Sequence, residues 1–261
     1  IFENTYTIPD ADVYIPPVDL KKIPQYATTP AERLTIQDAT LVRVAARYVA
    51  NVNTTTNLIT YNEKVFFGGN DKNFYIIDMS GKGKLLSKVN IGAVIQSTPV
   101  LLNDTVYFGA NNKVLYAVSL KTNRIVFATR LEESLANKNM IVANGAYIYF
   151  AVEGILYKLN RYNGKIMFKT TLEENLGGFA SAVDKVPVKA AVAIDNARVF
   201  VADSYGFIRA FDKISGKLLW KKFAGYITGG QIFENNGRII GVSSNGWLVV
   251  VSAEDGKPIT S

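Results

Sequence analysis

The chain has 261 residues, of which 48% are hydrophobic and 20% charged, and its formal net charge is +7. That is the balance of a folded globular chain rather than a disordered one. It contains no cysteine and no histidine, which excludes disulfides, thiolate metal sites, cysteine nucleophiles and most histidine-based acid–base and metal chemistry.

The segment 1–40 reads as an extended, proline-rich arm. Pro9, Pro16, Pro17, Pro24 and Pro30 are five of the eight prolines in the chain. Proline fixes φ and removes a backbone donor, so no blade structure is expected there. Thr29-Pro30-Ala31-Glu32 has the residues that cap a short helix. From Val42 to Val52, Val42, Val44, Ala46, Tyr48 and Val52 alternate against Arg43 and Arg47. That period reads as a strand, with a helix as the alternative.

From residue 58 onward the chain repeats. Phe66-Phe67-Gly68 recurs as Tyr107-Phe108-Gly109 and as Tyr149-Phe150-Ala151, and Arg198-Val199-Phe200 recurs as Arg238-Ile239-Ile240. In step with these run Ile76-Ile77-Asp78, Ala117-Val118-Ser119, Lys158-Leu159-Asn160, Ala210-Phe211-Asp212 and Val250-Val251-Ser252. A polar turn with a basic residue follows each time: Gly83-Lys84, Asn123-Arg124, Gly164-Lys165, Gly216-Lys217 and Gly256-Lys257. Within each unit, short runs rich in β-branched and aromatic residues alternate with Asn-Gly and similar turns. About four strands in about 40 residues is the pattern of a β-propeller blade. The expected fold is all-β, with four-stranded antiparallel blades over 41–261 and about five recognisable repeats. The last unit runs out as its fourth strand begins. Either the strand near residues 41–52 completes that blade, or further blades lie outside this sequence.

Between Asn160 and Asp212 the spacing is longer than in the other units. The excess, between about Glu173 and Lys189, is expected to be a surface loop, because blade cores tolerate few insertions. It carries Phe179 beside Gly177-Gly178, with Lys185 and Lys189 flanking Val186-Pro187. Phe179, Lys185 and Lys189 are the candidate partner-binding residues, since aromatic and basic side chains on a loop make interface anchors. The alternative is a loop folded back over the rim with Phe179 buried.

Ala210-Phe211-Asp212-Lys213-Ile214-Ser215-Gly216-Lys217-Leu218-Leu219-Trp220 resembles the tryptophan-docking repeat of the pyrroloquinoline-quinone-type propellers. In that repeat the turn requires glycine and the tryptophan packs between adjacent blades. Phe127 and Phe168 stand at the tryptophan position in degraded copies. The resemblance covers 58–261. Quinoprotein dehydrogenases are one branch, but they carry about eight blades, a quinone, calcium and often a vicinal disulfide. Here no Cys-Cys pair exists, and Asn70-Asp71-Lys72-Asn73 reads better as a hairpin turn than as a calcium site. The stretch from Gln231 to Lys257 is similar to the late blades of the other branch, the BamB-type propeller lipoproteins of the outer-membrane β-barrel assembly machine. That resemblance implies a periplasmic scaffold with protein partners in an envelope complex. It also implies a lipid anchor, which would lie upstream of Ile1.

The arm is near neutral, whereas residues 58–261 carry 24 basic and 16 acidic groups, a net of +8. Such a field favours anionic partners, although a solvated surface explains it as well. No basic stretch is interleaved with aromatics as in a nucleic-acid module. Glu132-Glu133 and Glu173-Glu174 occupy equivalent places one blade apart, unlike a pair converging across a cleft. The expectation is a protein-binding scaffold outside the cytoplasm, with no catalytic residues, no cofactor, no metal, no nucleic acid and no transmembrane segment. Its role would lie in outer-membrane protein assembly or in another large envelope, surface or motility complex. A quinone- or small-ligand-binding protein is the third reading.

Overall fold

The computed structural model describes residues 52–81, 83–135, 141–174, 184–185, 188 and 192–259. The arm, and with it residues 41–51, lies outside them. Among the described residues no helix is long and apolar enough to cross a membrane.

The described residues form five successive antiparallel sheets. The first has β1 (Ile59–Tyr61), β2 (Lys64–Gly68), β3 (Asn73–Asp78) and β4 (Lys84–Asn90). The second has β5 (Val100–Leu102), β6 (Thr105–Ala110), β7 (Val114–Ser119) and β8 (Arg124–Arg130). The third has β9 (Val142–Asn144), β10 (Tyr147–Val152), β11 (Ile155–Asn160) and β12 (Ile166–Thr171). Between the third and fourth, β13 (Glu173–Glu174) pairs with β14 (Asp184–Lys185). The fourth sheet has β15 (Ala193–Ile194), β16 (Arg198–Ala202), β17 (Phe207–Asp212) and β18 (Leu218–Phe223). The fifth has β19 (Ile227–Asn235), β20 (Arg238–Ser243) and β21 (Leu248–Ser252). This is the propeller that the repeats predict, with each sheet a meander of neighbouring strands.

The two inner strands of each of the first four blades are almost wholly buried, because they pack against neighbours on both faces. β6 and β7, for example, bury Val106 to Ala110 and Leu115 to Val118. Apolar clusters fill the seams between blades. One combines Phe66, Phe74 and Ile76 of the first sheet with Val106, Phe108 and Tyr116 of the second, and the rings of Phe74 and Phe108 stack at 4.6 Å. The outer strand of each complete blade meets its neighbour with one register shift. The shift falls at Ile76/Ile77, Ala117/Val118, Lys158/Leu159 and Ala210/Phe211, always just before the polar turn. Repetition at one place marks the bulge as part of the blade design.

Beyond the bulge, one residue of each outer strand faces the next blade. Phe127, Phe168 and Trp220 pair across from Ala117, Lys158 and Ala210. The turn of the following blade sits on each ring. A Cβ at Gly164 would stand 2.4 Å from Phe127, one at Gly216 2.7 Å from Phe168, and one at Gly256 2.7 Å from Trp220. All three glycines also hold φ near +71°, which glycine adopts without strain. Thr129 and Thr170 donate to the carbonyls of Gly164 and Gly216 at 2.8 Å, and Trp220 Nε1 donates to Ala253 O at 3.2 Å. The docking of a ring on a glycine turn, expected from the repeat, holds at three seams.

The last sheet has three strands. Its fourth begins at Pro258, which bridges Val251, and Ile259 N donates to Val250 O. The expected completion of that blade by residues near 41–52 falls almost wholly outside the described residues.

Candidate functional site: an anchored hairpin beside exposed aromatic rings

In a four-stranded meander the turn between the second and third strands and the exit toward the next blade fall at the same end. The insertion leaves blade 3 at that end. Its base is an antiparallel pair, Glu173 with Lys185 and Glu174 with Asp184, so the segment expected to be a loop starts as a hairpin.

One buried ion pair pins that base. In the first three blades the third strand carries a tyrosine that reaches its own turn or the preceding blade. Tyr75 Oη donates to Asp71 at 2.7 Å, Asn112 Nδ2 donates to Tyr116 Oη at 2.8 Å, and Tyr157 Oη accepts from Glu132 N at 3.2 Å. In blade 4 the equivalent residue is Arg209. Its Nε donates to Asp203 Oδ2 at 2.7 Å, and its Nη1 donates to Glu173 O at 3.3 Å. Asp203 also accepts from the backbone N–H groups of Tyr205 and Phe207. Both side chains are buried, so the Asp203 carboxylate relies on the guanidinium beside it.

Exposed rings gather beside this anchor. Phe207 and Phe223 pair across β17 and β18 and meet edge to face at 5.6 Å. Phe223 meets Tyr226 in the same manner at 6.3 Å. Lys221 Nζ lies 4.7 Å from the centre of the Phe207 ring. The adjoining turn of blade 5 is tied in by Ser244 N donating to Tyr226 O at 2.7 Å, and it presents Trp247, 72% exposed. Phe223 and Tyr226 are exposed too. Large amphipathic rings with a neighbouring ammonium bind apolar and aromatic side chains with little loss of conformational freedom.

Several other polar groups of the blades are engaged within the fold. Burial pushes Asp71 up, but hydrogen bonds from Tyr75, Lys88 and Asn73 outweigh it and hold the carboxyl below its usual range. This is the hairpin-turn role expected of Asn70–Asn73. Lys169 ties Glu132, and Lys113 reaches Glu133 at 3.1 Å. Lys158 is buried with its ammonium 4.2 Å from the centre of the Tyr147 ring, and it donates to Lys213 O at 2.8 Å. Burial and the nearby Lys213 charge lower its pKa, and burial raises the Tyr149 phenol to about 12. At the opposite end of the blades, a recess of about 330 Å³ is lined in part by Asp104, Lys121, Arg161 and Tyr162. There Lys121 pairs with Asp104 at 3.0 Å and Arg161 Nη2 donates to Tyr162 Oη at 2.8 Å.

The family described as outer membrane protein assembly factor BamB matches residues 42–171 and 152–259. The chain belongs to that family. A solved BamB structure, from Moraxella catarrhalis, superposes with a TM-score of 0.61 at 13% identity, covering 82% of this chain and 65% of that one. The chain thus spans slightly less than two thirds of the BamB chain it matches, and at that identity the likeness shows the fold alone. No curated protein matches the sequence.

Of the residues singled out in the insertion of this BamB-family propeller, Lys185 lies in β14, paired with Glu173. Phe179 and Lys189 lie outside the described residues. Sequence reasoning missed the rings of Phe207, Phe223, Tyr226 and Trp247. A signal was present: Phe207 and Phe223 stand at opposite limits of two adjacent strands, where one meander brings them together.

Proposed function

We propose that this chain is a non-catalytic scaffold of the cell envelope that holds protein partners during outer-membrane protein assembly, on the periplasmic side. The observation that carries this reading is the cluster of exposed rings Phe223, Tyr226 and Trp247 beside the pinned hairpin, on a propeller of the BamB family. Apolar rings left in water at the rim of an otherwise packed blade mark a contact surface. The hairpin base, held by Arg209 and Asp203, supplies a rigid edge beside them. Membership of the family supports the envelope setting and the choice of partner, a subunit of the barrel-assembly machine.

The test is an affinity pull-down of the tagged protein from its native envelope, read by mass spectrometry. A barrel-assembly subunit is expected at near-stoichiometric yield. Tyr226→Ala with Trp247→Ala should lower that yield by about tenfold or more, as loss of central aromatic anchors does, with the melting temperature unchanged. Recovery of a different complex, or equal yields from both proteins, would overturn the proposal.

A further inference from the structure

The residue that follows the third strand has the same backbone role in all five sheets. Met79, Leu120, Arg161, Lys213 and Ala253 each donate their N–H to a carbonyl in the turn between the first two strands of their own sheet. Leu120 and Ala253 sit in the apolar clusters that join blades 1 and 2 and blades 4 and 5. Arg161 and Lys213 bring a charge to this place instead. Lys213 Nζ donates to the backbone carbonyl of Asp195 in its own blade. Arg161 is less well provided for.

Arg161 is half-buried and reaches back to blade 2. With its amide oxygen turned toward the guanidinium, Asn103 accepts from Nη2 at 3.1 Å and from Nη1 at 3.3 Å. Nη2 also donates to Tyr162 Oη at 2.8 Å, and the Tyr162 ring centre lies 4.4 Å from Cζ. Nε is buried and has no hydrogen-bond partner. Every acceptor that the protein offers this guanidinium is neutral. Among the described residues the other arginines withdrawn from water hold carboxylates: Arg198 meets Asp195 at 2.8 Å and Arg209 meets Asp203 at 2.7 Å. A guanidinium taken out of water without a countercharge is costly, so this one is poised to receive an anion.

The recess of about 330 Å³ at the seam of blades 2 and 3 is where an anion can approach it. Asp104 also lines the recess, but Lys121 neutralises it at 3.0 Å. One positive charge is left over, which suits a monoanion better than a dianion. Val126 and the Tyr162 ring, both exposed, give the recess apolar walls. Such walls add nothing for a bare inorganic ion and favour an anion carried on a carbon skeleton. The planar fork of arginine matches a carboxylate.

We propose that the recess between blades 2 and 3 binds an organic carboxylate of a peptide, an acidic side chain or a chain terminus, with Arg161 as the recognising cation and Val126 and Tyr162 packing on its carbon skeleton. The site lies at the opposite end of the blades from the exposed rings and stands independently of their role.

The test is a titration of the full chain, labelled with nitrogen-15 and followed by NMR. The probes are acetyl-glutamate amide, its neutral isostere acetyl-glutamine amide, acetyl-glycine and inorganic phosphate. Acetyl-glutamate amide or acetyl-glycine should shift the amides of Asn103, Lys121 and Tyr162 saturably, and the tighter of the two names the source of the carboxylate. The glutamine isostere should bind about tenfold more weakly, the usual worth of a hydrogen bond to a charged group. Arg161→Gln should lose about tenfold in carboxylate affinity, whereas Arg238→Gln, an exposed cation of the fifth sheet, should lose none. Phosphate binding as tightly as the carboxylates would mean attraction by charge alone and overturn the proposal. Unchanged affinity in Arg161→Gln would overturn it too. The comparison of the glutamate and glutamine probes needs no variant, and equal affinities there would overturn the proposal even if Arg161→Gln failed to fold.

Discussion

Between the first and second blades the outer strand offers Ser87 to the neighbouring turn, whose left-handed residue is Asn123 at φ 55°. Between the fourth and fifth it offers Trp220, and the left-handed residue is Gly256. Asparagine tolerates that conformation through its short polar side chain, but it brings a Cβ. With a small residue opposite, the Cβ has room. With a ring opposite it would overlap, and only glycine serves. The two seams show that the glycine of this repeat is required by the ring it touches as much as by its own φ. The pins differ in the same direction. The early blades use neutral tyrosines, whereas blade 4 uses the charged pair of Arg209 and Asp203.

The largest effect is expected at the charged pin. Arg209→Met strands the Asp203 carboxylate inside the protein and should cost about 3–5 kcal/mol, the usual penalty for breaking a buried pair. Tyr116→Phe, at the equivalent place in blade 2, removes two neutral hydrogen bonds, one accepted from Asn112 and a longer one donated to Ile91 O, and should cost about 1–2 kcal/mol. Urea unfolding of the two variants measures the contrast, and similar losses would mean that Asp203 finds water when its partner is gone.

The glycine seams come next. Gly256→Ala should cost about 2–4 kcal/mol through backbone strain and overlap with Trp220. Asn123→Gly should change stability by no more than about 0.5 kcal/mol. Thermal melts decide between them. A sharper form is a double-mutant cycle at the first seam. Ser87→Phe should be destabilising alone and relieved by Asn123→Gly, with a coupling of about 1 kcal/mol. Additive effects would show that the seam opens to admit the ring.

The smallest effect concerns the turn of blade 5. Hydrogen bonds from Lys257 hold the Asp255 carboxyl at about 2, below its ordinary value of 3.8. A depressed folded-state pKa contributes stability that is present above the unfolded value and lost as pH falls toward the folded one. Asp255→Asn should therefore flatten the fall in melting temperature between about pH 4 and about pH 2, by lowering the melt slightly at neutral pH and leaving it unchanged at the acid end. An unaltered acid limb would place the acid sensitivity elsewhere.

Much of this protein could be read from residue order alone, because the forces that make a blade are local and repeat. β-branched runs, left-handed turn residues and landmarks recurring in step identified the propeller. The ring-on-glycine seam was expected only through the resemblance of residues 210–220 to the tryptophan-docking repeat, because ring and glycine belong to adjacent blades. The anchored hairpin and the aromatic ledge did not follow. Arg209 becomes a pin only when β17 brings it to Asp203 and to the backbone of Glu173 in the preceding blade's exit. Phe223, Tyr226 and Trp247 become a surface only because no neighbouring blade covers them at the rim, while Phe74 and Phe108, in equally apolar strands, vanish into a seam. Composition and spacing decide which side chains a strand presents. Whether a given side chain ends in a core or in water depends on what packs against that face, and this was decided by the arrangement of the sheets.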